Sequence, residues 1–97
     1  MTSPIVRWTD PANADFLGIV AWLNDRNPQA AARVGRRILD TVGRLAEHPM
    51  LGKPGRVLDT RELGVPHFPY LIVYSVVADQ VAILRVLHGA MLWPAQT

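Results

Sequence analysis

The side chains best able to do chemistry in this sequence are nine arginines, Lys53 and three histidines. An arginine fork holds a phosphate or carboxylate by two prongs, and a histidine exchanges a proton near neutral pH. Arg85 stands out because it interrupts the apolar run Ile83-Leu84-Arg85-Val86-Leu87. A buried, unpaired charge is costly, so its guanidinium must reach solvent, a carboxylate or a phosphate. A structural ion pair and a phosphate contact both satisfy that demand. His88 closes the same segment and could act as a general acid; the preferred reading is a strand-end histidine hydrogen-bonded to backbone. Arg61-Glu62 reads as a contact point for a partner or as an exposed salt bridge worth about 0–1 kcal/mol. Lys53 and Arg56 flank Gly52, Pro54 and Gly55, but no phosphate-loop spacing is present and a plain turn is preferred. His48, His67 and His88 are too scattered for a metal site, and there is no cysteine. No metal and no cofactor are expected, and no catalytic triad or carboxylate pair can be argued from spacing.

Those residues must be positioned by the elements around them. Ile5-Val6-Arg7-Trp8 reads as a first strand. Thr9-Asp10-Pro11 then looks like a helix start, with Asp10 as the cap and Pro11 at the first helical position. Ala12, Phe16, Ile19, Val20 and Leu23 form one helical stripe, with Leu17 and Trp22 outside it. Asn24 to Asn27 breaks the pattern. Asn27-Pro28 starts a second helix whose Ala31, Val34, Ile38, Val42 and Leu45 share one face. Arg33, Arg36, Arg37, Asp40, Arg44 and Glu47 gather opposite, with Arg36–Asp40 and Asp40–Arg44 as i,i+4 ion pairs. His48-Pro49 ends it.

The second half changes period. Met50 to Gly55 reads as a loop, Arg56 to Leu63 as a polar edge strand, and Tyr70 to Val77 as a central strand. After a turn at Ala78-Asp79, Gln80 through His88 returns beside it. The order β-α-α-β-β-β describes an α+β domain, with a helical hairpin packed on a small antiparallel sheet. If Val77 pairs with Gln80 and Val73 with Leu84, one face carries Tyr70, Ile72, Tyr74, Ile83, Arg85 and Leu87. The other carries Leu71, Val73, Ser75, Leu84, Val86 and His88. Both faces are apolar. The helices cover one; the tail Met91-Leu92-Trp93, a partner or both must cover the other.

Ninety-seven residues make a single domain, 1–97, of which 49% are hydrophobic. No signal peptide and no run of apolar residues long enough to span a membrane is recognisable, so a cytoplasmic protein is expected. The net charge of +2 permits a nucleic-acid or acidic-protein partner without demanding one.

Four pieces stand in register behind the helical hairpin: Glu47-His48-Pro49-Met50-Leu51-Gly52-Lys53-Pro54-Gly55-Arg56-Val57, Thr60-Arg61-Glu62-Leu63, Pro69-Tyr70-Leu71-Ile72-Val73-Tyr74, and Ile83-Leu84-Arg85-Val86-Leu87-His88-Gly89 with Trp93-Pro94. Together they resemble the ParE branch of the RelE/ParE toxin superfamily, the plasmid-stabilisation family, over nearly the whole chain. The resemblance implies a βααβββ toxin neutralised by a cognate ParD-like antitoxin whose C-terminal segment wraps it. It implies a hetero-oligomer that meets DNA only through the antitoxin. ParE-type members are associated with poisoning DNA gyrase, whereas RelE-type members cut mRNA on the ribosome.

RNA cleavage calls for a general base, clustered cations at the phosphorane and a general acid. RelE-like nucleases carry an arginine on the first central strand, where this sequence has Leu71, and Trp93 near the chain end has no titratable group. That departure favours gyrase inhibition by protein contact. The alternative is a ribosome-dependent endonuclease using Arg61, Arg85 and His88. A further alternative is a relic that acts only with its antitoxin as a repressor. Leu17, Trp22, Leu71, Val73, Leu84 and Val86 are the expected antitoxin contacts. Arg56, Arg61, Glu62, Met91 and Trp93 are the expected target contacts.

Overall fold

Thr9 turns the chain from strand into helix. In the computed structural model, which describes residues 5–89, its backbone is extended and its hydroxyl accepts from the Ala12 amide at 3.3 Å. The same hydroxyl donates to the Ile83 carbonyl at 2.7 Å. The expected cap, Asp10, is instead the first helical residue. A carboxylate could accept from the helix amides, but only a hydroxyl can also donate to the neighbouring strand. The elements are β1 (Ile5–Trp8), α1 (Asp10–Arg26), α2 (Pro28–Glu47), β2 (Lys53–Pro54), β3 (Arg61–Gly64), β4 (Tyr70–Val77) and β5 (Gln80–His88).

Asn27 works for both helices. Its amide donates to the Leu23 carbonyl at 2.6 Å, ending α1, while its side chain accepts from the Ala30 amide at 3.1 Å, starting α2. Asn24-Asp25-Arg26 therefore stays helical, because the break needs Pro28 and its capping partner rather than polarity alone. On α2, Ala31, Val34, Ile38, Val42 and Leu45 are buried as the stripe requires, joined by Gly35 and Thr41. The Thr41 hydroxyl is satisfied by the Arg37 carbonyl at 2.7 Å. The expected Arg36–Asp40 and Asp40–Arg44 ion pairs do not close; the ion pairs among the described residues are Arg56–Glu62 and Arg85–Asp15. Exposed pairs gain too little to fix two long side chains.

The sheet has five strands in the order β1-β5-β4-β3-β2. All neighbours are antiparallel except β1, which runs parallel to β5. The expected strand from Arg56 to Leu63 is shorter. Arg56 to Thr60 is a turn in which the Thr60 amide and hydroxyl both donate to the Val57 carbonyl, and Asp59 adopts φ 64°. Val77 pairs with Gln80 across Ala78-Asp79, as the sequence suggests, with Ala78 at φ 54°.

One correction changes both sheet faces. Val73 pairs with Arg85 and Tyr74 with Ile83, so Leu84 is an extra, unpaired residue in β5. A bulge reverses the alternation of everything beyond it. Val86 and His88 therefore share the helix side with Tyr70, Ile72 and Tyr74, while Arg85 and Leu87 turn to the other side. Val86, expected as an antitoxin contact, sits in the core beside Ile38, Leu45, Ile72, Tyr74, Val81 and Ile83. On the far side Val73 and Leu87 are buried and Leu71 half-buried, so these apolar residues are not left open to solvent.

Candidate functional site

Three local arrangements hold the residues whose types suggested chemistry. The first lies where β1 ends. β1 pairs with β5 only as far as Ile83, and from there α1 runs along the β5 edge. Asp15 of α1 fills the missing strand's place. Its Oδ2 accepts from the Val86 amide at 2.9 Å and from Arg85 Nε at 2.7 Å, and its Oδ1 accepts from Arg85 Nη2 at 3.0 Å. This two-pronged pair satisfies an edge amide and brings the Arg85 charge to a carboxylate. Hydrogen bonding to Asp15 holds the guanidinium above its usual pKa, against the opposing effect of burial. Of the two partners open to Arg85, the carboxylate is the one it has.

The second arrangement surrounds Glu62. Adjacent residues on a strand point to opposite sides, so Arg61 and Glu62 cannot pair with each other. Glu62 is buried and accepts from the Arg56 amide at 2.9 Å and from Arg56 Nε and Nη2 at 3.2 and 3.1 Å. The Arg56 side chain, foremost through its hydrogen bonds, holds the carboxyl below its ordinary pKa; burial opposes this, and Lys53 assists the lowering. Arg61 donates instead to the carbonyls of Gly52 at 2.9 Å and Met50 at 3.2 Å. Tyr74 completes this brace, its hydroxyl donating to the Pro49 carbonyl and accepting from the Gly52 amide, both at 2.8 Å. Arg56, Arg61 and Glu62 thus hold the segment between α2 and β3. Arg56 and Arg61 keep some exposure, Glu62 almost none. Met91 and Trp93 lie outside the described residues.

The third arrangement is a groove of about 520 Å³ between the C-terminal half of α1 and the end of the sheet, lined by Gly18, Ile19, Trp22, Tyr70 and His88. Trp22 is 57% exposed, and the Arg26 guanidinium lies 3.8 Å from its ring centroid while donating to the Trp22 carbonyl. Tyr70 and His88 meet edge to face at 5.5 Å, and burial raises the Tyr70 hydroxyl pKa. Leu17 is 58% exposed but does not line the groove. Trp22 is five positions further along the helix, which puts the two about 140° apart around the axis.

Gly18 has no atom within 4 Å of where a Cβ would stand. A mid-helix glycine costs about 0.5–1 kcal/mol relative to alanine. Nothing in the fold requires its bareness, yet it keeps the groove floor clear.

The family model for the ParE toxin of the type II toxin–antitoxin system parDE matches residues 6–93. The chain belongs to this toxin family. It is 43% identical over 94 residues to "Putative toxin Y4kP" of Sinorhizobium fredii, covering 97% of each chain. It is 34% identical over 80 residues to Toxin RelE1 of Caulobacter vibrioides, covering 80% of this chain and 85% of that one. The fold matches a chain of the chromosomal ParDE TA system from P. aeruginosa at TM-score 0.80 and 24% identity, over 89% of this chain and 96% of that one.

In this toxin of the ParE/RelE superfamily the candidate site residues fall in separate places. Arg61, Arg85 and His88 do not converge: Arg61 braces a loop, Arg85 is clamped to α1, and His88 lies against Tyr70 at the groove. Leu71, on β4, pairs with Leu87 of β5 and is a half-buried position without charge. Among the expected antitoxin contacts, Trp22 lines a groove, Leu17 and Leu84 lie elsewhere, and Val73 and Val86 are interior. Sequence reasoning missed Asp15 and Gly18. Asp15 is an acid at i+3 from Ala12 and i−4 from Ile19, on the edge of the apolar stripe, which is itself a signal of a buried partner. Among the described residues no helix is long and apolar enough to cross a membrane.

Proposed function

We propose that this toxin inhibits DNA gyrase by protein–protein contact and is neutralised by a ParD-like antitoxin that fills the groove beside Trp22. The observation that carries the choice of target is the Asp15–Arg85 clamp. A guanidinium whose Nε–Nη2 edge is bound and whose charge is offset by a carboxylate is poorly placed to stabilise a phosphorane, and Leu71 supplies no replacement cation. The groove suits an apolar side chain of an antitoxin segment: it is bounded by aromatic rings and Ile19, and Gly18 leaves room for the incoming group. ParDE pairing in the P. aeruginosa system supports an antitoxin partner here as well.

Supercoiling by purified gyrase, with and without the toxin, tests the target. The expected result is loss of supercoiling with accumulation of cleaved DNA, reversed by the antitoxin. Unchanged supercoiling at micromolar toxin refutes the proposal. The RelE name of the 34% identical relative supports mRNA cleavage on the ribosome as the second reading. Primer extension on translating ribosomes distinguishes it, since toxin-dependent cuts appear only if RNA is the substrate.

A further inference from the structure

The outer side of α2 carries a second concave site that neither the groove nor the target proposal uses. Ala32, Arg33, Arg36, Arg37, Asp40 and Phe68 line a cleft of about 300 Å³. Arg33 and Arg36 are exposed and Arg37 half-exposed, and among the described residues neither ion pair involves any of them. Asp40 lines the same cleft at helical contact spacing from Arg36 and Arg37, yet closes on neither.

This charge order works against the helix. Arg33 stands at i,i+3 from Arg36 and i,i+4 from Arg37, the spacings at which like charges repel. Three of the four arginines of α2 fall in its N-terminal half, and its first turn contains no acidic residue to offset them. Stability would disperse these cations. Their concentration gathers three cations, outside any ion pair among the described residues, around one concave surface.

The cleft's chemistry is that of a nucleotide rather than an acidic peptide. Three forked cations fit phosphates. The partly buried Phe68 ring offers an apolar surface for a base, and the Asp40 carboxylate can accept from a base amine or sugar hydroxyl. A string of peptide carboxylates would meet repulsion at Asp40 and find no use for the ring. A duplex would keep its bases stacked out of reach. We propose that the α2 cleft binds a single-stranded nucleic-acid segment, with phosphates on Arg33, Arg36 and Arg37 and one base against Phe68. This contact is independent of the antitoxin groove and adds a direct nucleic-acid interaction.

The test is fluorescence anisotropy of the full-length toxin with labelled twelve-nucleotide dT and rA strands across a salt series. Binding should weaken with salt, with a log–log slope near −2 for about three phosphates released at ~0.7 each. The combined Arg33→Gln, Arg36→Gln, Arg37→Gln variant should lose at least about tenfold in affinity and most of that slope. Glutamine is a good helix former, so α2 is retained. Phe68→Leu, which keeps the core contact, should weaken binding several-fold and leave the slope unchanged. Equal binding by parent and triple variant overturns the proposal. So does competition by polyglutamate or by duplex DNA as strong as that by the single strand, and an unchanged affinity in Phe68→Leu overturns the stacked base.

Discussion

Asp15 and Arg85, seventy residues apart, meet through two hydrogen bonds of 2.7 and 3.0 Å, and Asp15 also accepts from the Val86 amide. One carboxylate therefore docks α1 to the sheet, satisfies the stretch of β5 that β1 leaves unpaired and commits the only charge within the apolar part of β5. Removing it strands a partly buried guanidinium and an amide. Asp15→Ala should cost about 2–3 kcal/mol, below the ~3–5 kcal/mol of a fully buried pair because both side chains keep some solvent contact. Arg85→Met, which removes the charge and keeps apolar bulk, should cost less. Urea unfolding of the three proteins checks the order; equal midpoints for Asp15→Ala and the parent would show that the clamp does not hold the fold.

Glu62 gives the stability a pH dependence of known sign. Its folded pKa is depressed by Arg56 below the ordinary carboxylate value of about 4.3. The stabilisation is therefore complete above the unfolded-state pKa and is lost as pH falls through the folded one. The melting temperature of the parent should drop between neutral pH and the low acid range. Arg56→Ala should lower it at neutral pH, and the gap between the two proteins should shrink on acidification. A gap that is constant with pH would assign the Arg56 contribution to packing.

The groove predicts opposite effects for free toxin and complex. Gly18→Ala should stabilise the isolated chain by about 0.5–1 kcal/mol, since nothing opposes the new methyl. Gly18→Leu should fold equally well but fill the groove and block the antitoxin. Trp22→Ala should weaken antitoxin binding by about 2 kcal/mol, roughly thirtyfold, as expected for a central aromatic contact. Because Trp22 is more than half exposed, the free toxin should keep its melting temperature. Calorimetry of each variant with the antitoxin reads both effects.

These sites differ in how visible they were in the sequence. Asn27-Pro28, the α2 stripe and the Val77–Gln80 hairpin are local signals, and each survives in the structure because local geometry decides it. The Leu84 bulge is not local. Leucine there looks like its neighbours, and only the pairing with β4 reveals the surplus residue that sends Val86 inward. The Arg56–Glu62 pair was hidden by a turn through Asp59 at positive φ, which brings Arg56 back over β3. Chemistry-bearing residues were found by type, but their partners depended on register.

The segment between α2 and β3 is held by an approach that a side chain would prevent. At Gly52 a Cβ would stand 2.8 Å from the Glu62 carbonyl oxygen and 2.8 Å from both Cε1 and the hydroxyl of Tyr74. Contacts that short cannot persist, and neither the backbone of β3 nor the fully buried Tyr74 can move aside cheaply. Gly52→Ala should therefore displace the segment, break the Tyr74 hydrogen bonds to Pro49 and Gly52, and cost about 2–3 kcal/mol. Tyr74→Phe removes the hydroxyl alone and leaves a buried amide at Gly52 without its acceptor, a loss of about 1–3 kcal/mol. If the two substitutions act through the same tether, the double variant should lose clearly less than the sum of the single losses. Denaturant midpoints of all four proteins provide the cycle; full additivity would mean that Gly52 is needed for its fit against β3 and not for the tyrosine.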